Sequence, residues 1–270
     1  MASFSSAPGS GSYNTTDNLL FPPPPPSVIT APQTLPDASL EPTSIQSIIT
    51  SLSLTAFVEG GYMAETDRNP LKILSPFPLY PATTFSCSDA NQGSSSTDTF
   101  DPSSYYRPGF DPKLRNASTT IYYLLTGANG GAGGGGGRQG GSPKGYLHRN
   151  RGRIIHTLHR GRGRYVILHA DEKPCRVESF VVGKNVEKGE RVQWIVEGGK
   201  YKGTFVFPLE DDEDGDKGDG DDEMIFISET TVPGWEVFDH DFLDRKGLEM
   251  LMEGDEDKIR QLQWLIKEEQ

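Results

Sequence analysis

The sequence predicts an all-β fold, either a sandwich or a barrel, with short helices only towards its two ends. Many short runs of β-branched and aromatic residues are separated by glycine and proline turn signals. Apolar residues at helical spacing occur only after residue 43 and again after residue 244. The hydrophobic content of 34% is low for a globular protein. We therefore expect a folded core that is smaller than the whole chain.

The first 42 residues are predicted to form a disordered tail. They are rich in serine and proline, and residues 22–26 are consecutive prolines that favour polyproline II. Such a segment can dock to SH3- or WW-type modules, but it has few apolar side chains to offset the entropy lost on ordering. A solvated tail is the favoured interpretation, and the folded domain is expected to occupy residues 43–270.

The predicted strands follow one short amphipathic helix. Thr43 and Gln46 are spaced as a capping box, and the apolar residues that follow share one helical face. Beyond Asp244 the apolar residues return to helical spacing, with an interruption at Gly254. Between these helices, strands are predicted over residues 58–66, 118–125, 165–169, 176–182, 191–196, 204–207 and 224–232.

Three insertions are predicted within the folded domain, at about residues 70–114, 127–143 and 209–223. The first has no sustained periodicity, and the second is almost pure glycine. The third overlaps residues 210–223, of which ten in fourteen are acidic. A calcium loop needs ligands at fixed alternating positions, which this run lacks, so a solvated acidic loop is favoured.

A basic stretch over residues 146–165 contrasts with the rest of the chain. It contains three of the five histidines and six arginines but no acidic residue, whereas the formal net charge of the protein is -12. The stretch either lines a site for an anionic or polar ligand, or pairs with carboxylates such as Asp171, Glu172 or the acidic loop. Because it lies between predicted strands and the sequence pI is about 4.9, we expect no nucleic-acid partner.

Five motifs, taken in order, resemble a cupin family of unassigned function whose bacterial members are described as predicted sugar epimerases. The resemblance covers about residues 45–66 and 115–266, and the arginine-rich motif is similar to the eukaryotic branch. It implies a double-stranded β-helix, the cupin jelly roll, assembled as a homodimer. The motifs are VEGGYMAET (58–66), STTIYYLL (118–125), HRNRGRIIHTLHRGRGRY (148–165), IVEGGKYKG (195–203) and TTVPGWEVFDHDF (230–242).

The resemblance also bears on metal binding. Metal-binding cupins use two histidines and a glutamate from one hairpin and a third histidine from the next. Their spacing places Tyr146, His148, Ile154 and Lys202 of this chain at the four ligand positions. A divalent ion needs at least three suitable donors, and an ammonium group repels it. We therefore expect no metal and no other cofactor, which leaves dioxygenase chemistry as the least favoured activity.

Strand alternation predicts which side chains enter the barrel. If His148 points inward, as the resemblance implies, then His156 does so too, and His159 faces outward. Lys202 and Thr204 are expected to point in from the second hairpin. One of the two adjacent tyrosines of STTIYYLL also faces inward, and parity does not decide which.

These side chains suggest catalysis of proton transfer next to a carbonyl group. His148 and His156 are the candidate bases, Tyr123 is the acid that returns the proton, and Lys202 stabilises the enolate. Metal-free sugar epimerases of the cupin fold use a set of this kind. Inward histidines are also found as satisfied core groups, so this alternative stays open. Further candidate ligand-binding residues are Arg149, Arg153, Arg164, Glu59, Tyr62, Tyr122 and Thr204.

Two functions are therefore predicted for the same pocket. One is a metal-free epimerase or isomerase acting on a sugar or nucleotide sugar, and the other is a non-catalytic cupin that binds a small polar molecule. His159 and Tyr165 are expected to supply surface for a homodimer. With two cysteines, no apolar run of membrane-spanning length and no secretory pattern at the N-terminus, a cytoplasmic protein without a membrane partner is expected.

Overall fold

The computed structural model describes residues 19–24, 26–31, 33–77, 107–127, 141–206 and 224–268. In these ranges the chain is mostly antiparallel β-sheet with short helices, which confirms the predicted all-β class. None of the helices in the described ranges is long and apolar enough to cross a membrane. The strands are β1 (Thr55–Ala56), β2 (Tyr62–Arg68), β3 (Lys72–Leu74), β4 (Leu114–Asn116), β5 (Thr119–Thr126), β6 (Lys144–Arg149), β7 (Arg153–Gly161), β8 (Gly163–His169), β9 (Arg176–Val182), β10 (Gln193–Val196), β11 (Tyr201–Val206), β12 (Met224–Val232) and β13 (Asp241–Phe242).

Two sheets face each other and enclose the barrel interior. The first has six strands in the order β1-β2-β5-β12-β7-β10, and the second has five in the order β13-β6-β11-β8-β9. One apolar cluster between them takes residues from both, for example Ile227 from the first sheet and Ile167 from the second. Alternation along each strand therefore leaves one set of side chains inside the barrel and the other on its outer faces.

Helices cover the outer faces of both sheets. The helices are α1 (Pro26–Ile29), α2 (Thr43–Ser51), α3 (Arg245–Leu251) and α4 (Glu256–Leu262). From α2, Ile45 and Ile49 pack on Leu124 of the six-stranded sheet. From α3 and α4, Leu248 and Ile259 pack in the cluster that covers the five-stranded sheet. The two outer faces are thus filled by apolar packing.

The structure places the start of the folded unit well before residue 43. Phe21 and Val28 are buried in the cluster on the five-stranded sheet, and their exposed fractions are 6% and 3%. Glu41 is buried as well, and it accepts hydrogen bonds from the hydroxyls of Tyr62 and Thr126 at 2.9 and 2.8 Å. The predicted tail to residue 42 is therefore too long, because the chain packs on the barrel from residue 19 onwards. Residues 1–18 lie outside the described ranges.

Other local predictions also need correction. Pro42, not Thr43, occupies the N-cap of α2 and provides no side-chain hydrogen bond, and Gln46 donates to the backbone oxygens of Ser39 and Glu41. Strand β3 lies within the segment 70–114 predicted to be an insertion without regular structure, and it pairs with β4, which begins at the end of that segment. The greater part of the three predicted insertions, with the acidic run, lies outside the described residues.

Candidate functional site

A buried charged network lies inside the barrel at the centre of the two sheets. The Lys202 ammonium lies 2.6 Å from the Glu229 carboxylate and 3.1 Å from Nε2 of His156. Glu229 on β12 is paired with His156 on β7, whereas Lys202 belongs to the facing sheet. The lysine therefore crosses the interior to bind a glutamate and a histidine that are neighbours in register. The ring of His156 also stacks on Trp194 at a centroid distance of 5.0 Å.

A second group, formed by Glu59, His148 and His240, lies close to this network. Nε2 of His148 is 3.1 Å from one carboxylate oxygen of Glu59, and Nε2 of His240 is 2.8 Å from the other. Neither contact has the angles of a hydrogen bond, so both buried ring nitrogens lack a hydrogen-bond partner among the described residues, although each is in electrostatic contact with Glu59. The two rings lie with their centroids 5.0 Å apart. The three donor atoms are within 4.8 Å of one another, an arrangement that can hold a metal ion.

A glycine pair fixes the position of Glu59. Gly60 and Gly61 have φ values of +100° and +69°, a conformation that other residues rarely adopt. A Cβ atom on Gly60 would lie 2.2 Å from the backbone oxygen of Lys144, so the turn also needs glycine for close approach to β6. The backbone oxygen of Glu59 then accepts a hydrogen bond from the amide of Tyr146 at 2.8 Å. The turn thus brings the Glu59 side chain beside His148.

His240 is held by a buried ion pair next to it in the chain. Arg115 on β4 donates two hydrogen bonds to the carboxylate of Asp239, at 2.6 and 2.9 Å. Asp239 also accepts from the amide of Glu236, which closes the short helical turn Val237–Asp239. Because both members of the pair are almost fully buried, the segment that presents His240 is anchored to the barrel.

The charges of the site follow from burial and from neighbouring groups. Burial lowers the pKa of His148 to about 3 against the opposing attraction of Glu59, with further lowering by Lys202 and His240. Burial alone would raise the pKa of Glu59, but the nearby histidines and Lys202 outweigh it and lower this pKa to about 2. Burial raises the pKa of Glu229 although Lys202 opposes the shift. At neutral pH His148 is therefore neutral and Glu59 is ionised.

Tyr123 is the tyrosine of STTIYYLL that points into the barrel. Its hydroxyl is buried and has no hydrogen-bond partner in the part of the chain that the structure describes. Burial, and then the negative charges of Glu59 and Glu229, raise its pKa well above the usual value. A Cβ atom at Gly145 would lie 2.7 Å from this hydroxyl, so β6 leaves room for it only because residue 145 is glycine. The interior thus holds a neutral phenol close to two carboxylates.

The structure brings together the four predicted catalytic residues but changes their surroundings. His148, His156, Lys202 and Tyr123 all lie inside the barrel, and each is at most 5% exposed. Glu229, which pairs with Lys202, was not among the residues predicted for the site, and His156 is completely buried. Thr204 is buried too, with its hydroxyl donating to the backbone oxygen of Arg164.

The predicted ligand-binding arginines are engaged elsewhere. Arg149 pairs with Asp241 and lies over the ring of Tyr201, and Arg153 pairs with Glu197. Arg164 donates to the hydroxyl of Ser179 at 3.1 Å. Of the two predicted interpretations of the basic stretch, the observed ion pairs favour pairing with the chain's own carboxylates. The predicted partners Asp171 and Glu172 instead bind Lys200 and Arg176.

The predictions for three further tyrosines are corrected by their positions. Tyr62 and Tyr122 lie on the outer face of the six-stranded sheet, in the cluster covered by α2, and therefore cannot reach a ligand inside the barrel. Tyr165, predicted to supply interface surface, is buried inside the barrel and packs on Trp194 at 4.6 Å. His159 is exposed on the outer face as predicted.

The ligand positions implied by cupin spacing do not fit a metal ion. Ile154 has no donor atom, and the ammonium of Lys202 is bound to Glu229. The histidine that does lie beside His148 and Glu59 is His240, which was not predicted as a site residue. It belongs to the motif TTVPGWEVFDHDF (230–242), where a short loop after a strand carries one histidine between two aspartates. Spacing alone gave no reason to bring that loop to the barrel interior.

Two antiparallel sheets that enclose a polar interior and are covered outside by helices define a cupin-type jelly roll. The family model described as Cupin superfamily (DUF985) matches residues 46–243. An uncharacterized protein of Saccharomyces cerevisiae is 36% identical over 202 residues, which cover 75% of this chain and 76% of that relative. The chain belongs to this cupin family, as its motifs indicated.

Comparison with solved structures supports the same fold. A hypothetical protein from Leishmania major matches with a TM-score of 0.51 and 24% identity, covering 80% of this chain and 97% of that one. At this identity the likeness concerns the fold. The reaction or ligand has to be argued from the side chains of the interior.

Proposed function

We propose that the barrel interior binds a small polar molecule, a sugar or a nucleotide sugar, and isomerises or epimerises it by proton transfer. The observation that carries the proposal is a set of polar atoms buried inside the barrel without a hydrogen-bond partner among the described residues. They are the Tyr123 hydroxyl, Nε2 of His148 and of His240, Nδ1 of His156 and Nε1 of Trp194. Buried polar atoms are nearly always paired, because leaving one unpaired costs about 1–3 kcal/mol. Several such atoms inside one barrel favour a polar ligand.

Proton transfer is supported by the contrast between Glu229 and Tyr123. Burial raises the pKa of Glu229 above its usual value, while Lys202 at 2.6 Å favours its ionised form. A carboxylate of this kind can accept a proton from the carbon next to a carbonyl group, whose electron pair then moves to the carbonyl oxygen. Tyr123 keeps its proton and can return it to the carbon, and the two side chains re-equilibrate through solvent.

The other interior groups are assigned to binding and positioning. His156 accepts a hydrogen bond from Lys202 and is completely buried, so it holds the lysine instead of acting as a base. His148 and Glu59 retain slight exposure, and we assign them to contacts with the ligand. This assignment replaces the bases His148 and His156 expected from the sequence with Glu229.

The experiment is solvent deuterium exchange, which reports proton abstraction without knowledge of the product. The full-length protein is incubated in D₂O with a panel of nucleotide sugars and free sugars, and proton NMR follows loss of signal at carbons next to carbonyl or latent carbonyl groups. We expect exchange with at least one sugar, and a loss of at least about tenfold in the rate at which the epimerised or isomerised sugar forms for Tyr123→Phe. Tyr122→Phe is the matched control, because the neighbouring tyrosine lies outside the barrel.

The outcomes of this experiment distinguish the two proposed functions. Saturable binding without exchange would reduce the protein to the alternative, a non-catalytic cupin that binds a small polar molecule. Equal rates of product formation for the Tyr123→Phe and Tyr122→Phe proteins would contradict the assignment of the acid. Absence of both binding and exchange across the panel would contradict the proposed substrate class.

A further inference from the structure

We propose that Glu59, His148 and His240 bind a divalent first-row transition-metal ion. The inference does not rest on the proposed function, because it concerns only the geometry of these three side chains. Their donor atoms lie within 4.8 Å of one another, and each side chain is at most 9% exposed. Two imidazoles and one carboxylate are the donor set of many sites for Zn²⁺, Fe²⁺ and related ions.

Two separations between donor atoms are close to those around a single ion. With metal–ligand bonds of about 2.0–2.2 Å, donors at neighbouring positions of an octahedral or tetrahedral ion are about 3–3.5 Å apart. One carboxylate oxygen of Glu59 lies 3.1 Å from Nε2 of His148, and the other lies 2.8 Å from Nε2 of His240. An ion between the two rings would therefore have both carboxylate oxygens of Glu59 within reach.

The tautomer of His148 is fixed by the backbone. Its Nδ1 lies 2.7 Å from the backbone oxygen of Tyr146, which only accepts hydrogen bonds, so Nδ1 carries the proton. In the neutral ring Nε2 then presents a lone pair, which lies 3.1 Å from the Glu59 carboxylate. A cation bound between these two electron-rich atoms would remove their repulsion. A hydrogen bond from the second ring nitrogen to a carbonyl also orients histidine ligands in metal sites.

Two ammonium groups near Glu59 are each bound to another partner. The ammonium of Lys202 pairs with Glu229 at 2.6 Å. The ammonium of Lys267 donates to the backbone oxygen of Val58 and lies over the ring of Phe242 at 4.5 Å. Both also interact electrostatically with Glu59, but neither forms an ion pair with it, so an ion bound to Glu59 would not replace an ion pair of either lysine. Because two of three donors are nitrogens, we expect selection of Zn²⁺, Fe²⁺, Mn²⁺, Co²⁺ or Ni²⁺ over the oxygen-seeking Mg²⁺ and Ca²⁺.

This ligand set differs from the one that cupin spacing implies. Only His148 occupies a spacing-derived position, whereas Glu59 comes from the turn before β2 and His240 from the segment before β13. The expectation of no metal was drawn from Tyr146, Ile154 and Lys202, and it did not consider these two residues. The inference therefore places an ion elsewhere in the same interior.

The test is metal binding by the full-length protein after removal of bound ions with EDTA. Titration with Zn²⁺ by calorimetry should show one equivalent per chain, and Co²⁺ should give visible absorption bands typical of nitrogen and oxygen ligands. His240→Ala and Glu59→Gln should each weaken Zn²⁺ binding by at least about 100-fold, because loss of a direct ligand exceeds the 10–100-fold typical of outer-shell changes. His159→Ala is the matched control, since His159 is exposed on the outer face. It should bind Zn²⁺ as the parent does.

Three results would overturn the inference. They are no saturable Zn²⁺ binding by the parent, an unchanged Co²⁺ spectrum in both ligand variants, or equal weakening in His159→Ala. Circular dichroism checks that each variant is folded, and Glu59→Gln keeps the shape of the side chain if His240→Ala does not fold. Sugar binding is measured separately on the EDTA-treated protein. If sugars bind while Zn²⁺ does not, the metal inference fails alone.

Discussion

Replacing Lys202 with methionine is expected to destabilise the protein by about 3–5 kcal/mol, the range found when one partner of a buried ion pair is removed. Lys202 and Glu229 have side chains that are 3% and 7% exposed, and 2.6 Å separates their charged atoms. Methionine fills similar space but leaves the Glu229 carboxylate without its counter-charge, and His156 without a hydrogen-bond donor. The magnitude therefore comes mainly from an uncompensated buried charge.

The double variant Lys202→Met/Glu229→Met separates this charge effect from lost packing. Removing both charges should restore most of the stability, because apolar replacements of a buried pair are often neutral or stabilising. The charge effect also depends on pH. A buried acid whose folded pKa is raised contributes stability that is present below its unfolded pKa and is lost as pH rises through the folded pKa. Since Glu229 has a raised pKa, and a still higher one without Lys202, the deficit of Lys202→Met should shrink as pH falls from 8 to about 5.

Urea unfolding at fixed protein concentration measures these differences. Arg260→Met is the control, because Arg260 pairs with Asp257 at the surface, where both side chains are more than half exposed, and we expect little change in its unfolding midpoint. If Lys202→Met unfolded at the same urea concentration as the parent, Lys202 and Glu229 would not be a buried pair. A double variant less stable than the single one would show that packing outweighs charge.

Four further predictions follow from particular contacts. Glu41→Gln keeps its two hydrogen-bond acceptor contacts but removes a carboxyl whose pKa is raised by burial, so it should be more stable than the parent at pH 8, with the difference vanishing near pH 4 in thermal melts. Phe21→Ala should lower the free energy of unfolding by about 3 kcal/mol. An unchanged melting temperature would show that Phe21 does not pack on the folded domain and belongs to the tail. Gly145→Ala places a Cβ atom 2.7 Å from the Tyr123 hydroxyl. It should therefore slow deuterium exchange clearly while lowering the melting temperature only slightly. Sedimentation should show a homodimer of 29.6 kDa chains, and a monomer at micromolar concentration would contradict the assembly implied by the family.

The fold was predictable where sequence periodicity and burial agree. Strands β9 and β12 lie at the residues predicted, since continuous apolar or alternating runs specify a strand buried between layers. The boundary at residue 42 failed for a different reason. A few apolar residues, Phe21 and Val28 among them, are enough to hold a proline-rich segment against the surface of the folded barrel. The average composition of residues 1–42 does not show such single residues.

The site was predictable only in part, because it joins distant segments of the chain. Alternation correctly placed His148, His156 and Lys202 in the barrel interior. It gave no reason to choose between Tyr122 and Tyr123, and it did not reveal that Glu229 faces Lys202 across the two sheets. The same limit explains the arginines, whose partners Asp241 and Glu197 are brought near by strand pairing and turns. Contacts between the two sheets depend on how the sheets pack on each other. The periodicity of the sequence along each strand does not determine that packing.

The measurement that most directly tests the interior site is a crystal structure of the full-length protein soaked with the sugars and nucleotide sugars of the exchange panel. We expect a ligand between the two sheets, with one polar atom within hydrogen-bond distance of the Tyr123 hydroxyl. Another of its polar atoms should lie next to the group formed by Glu59, His148 and His240. A ligand bound only outside the barrel, or an interior in which these polar atoms pair with one another and no ligand binds, would contradict it.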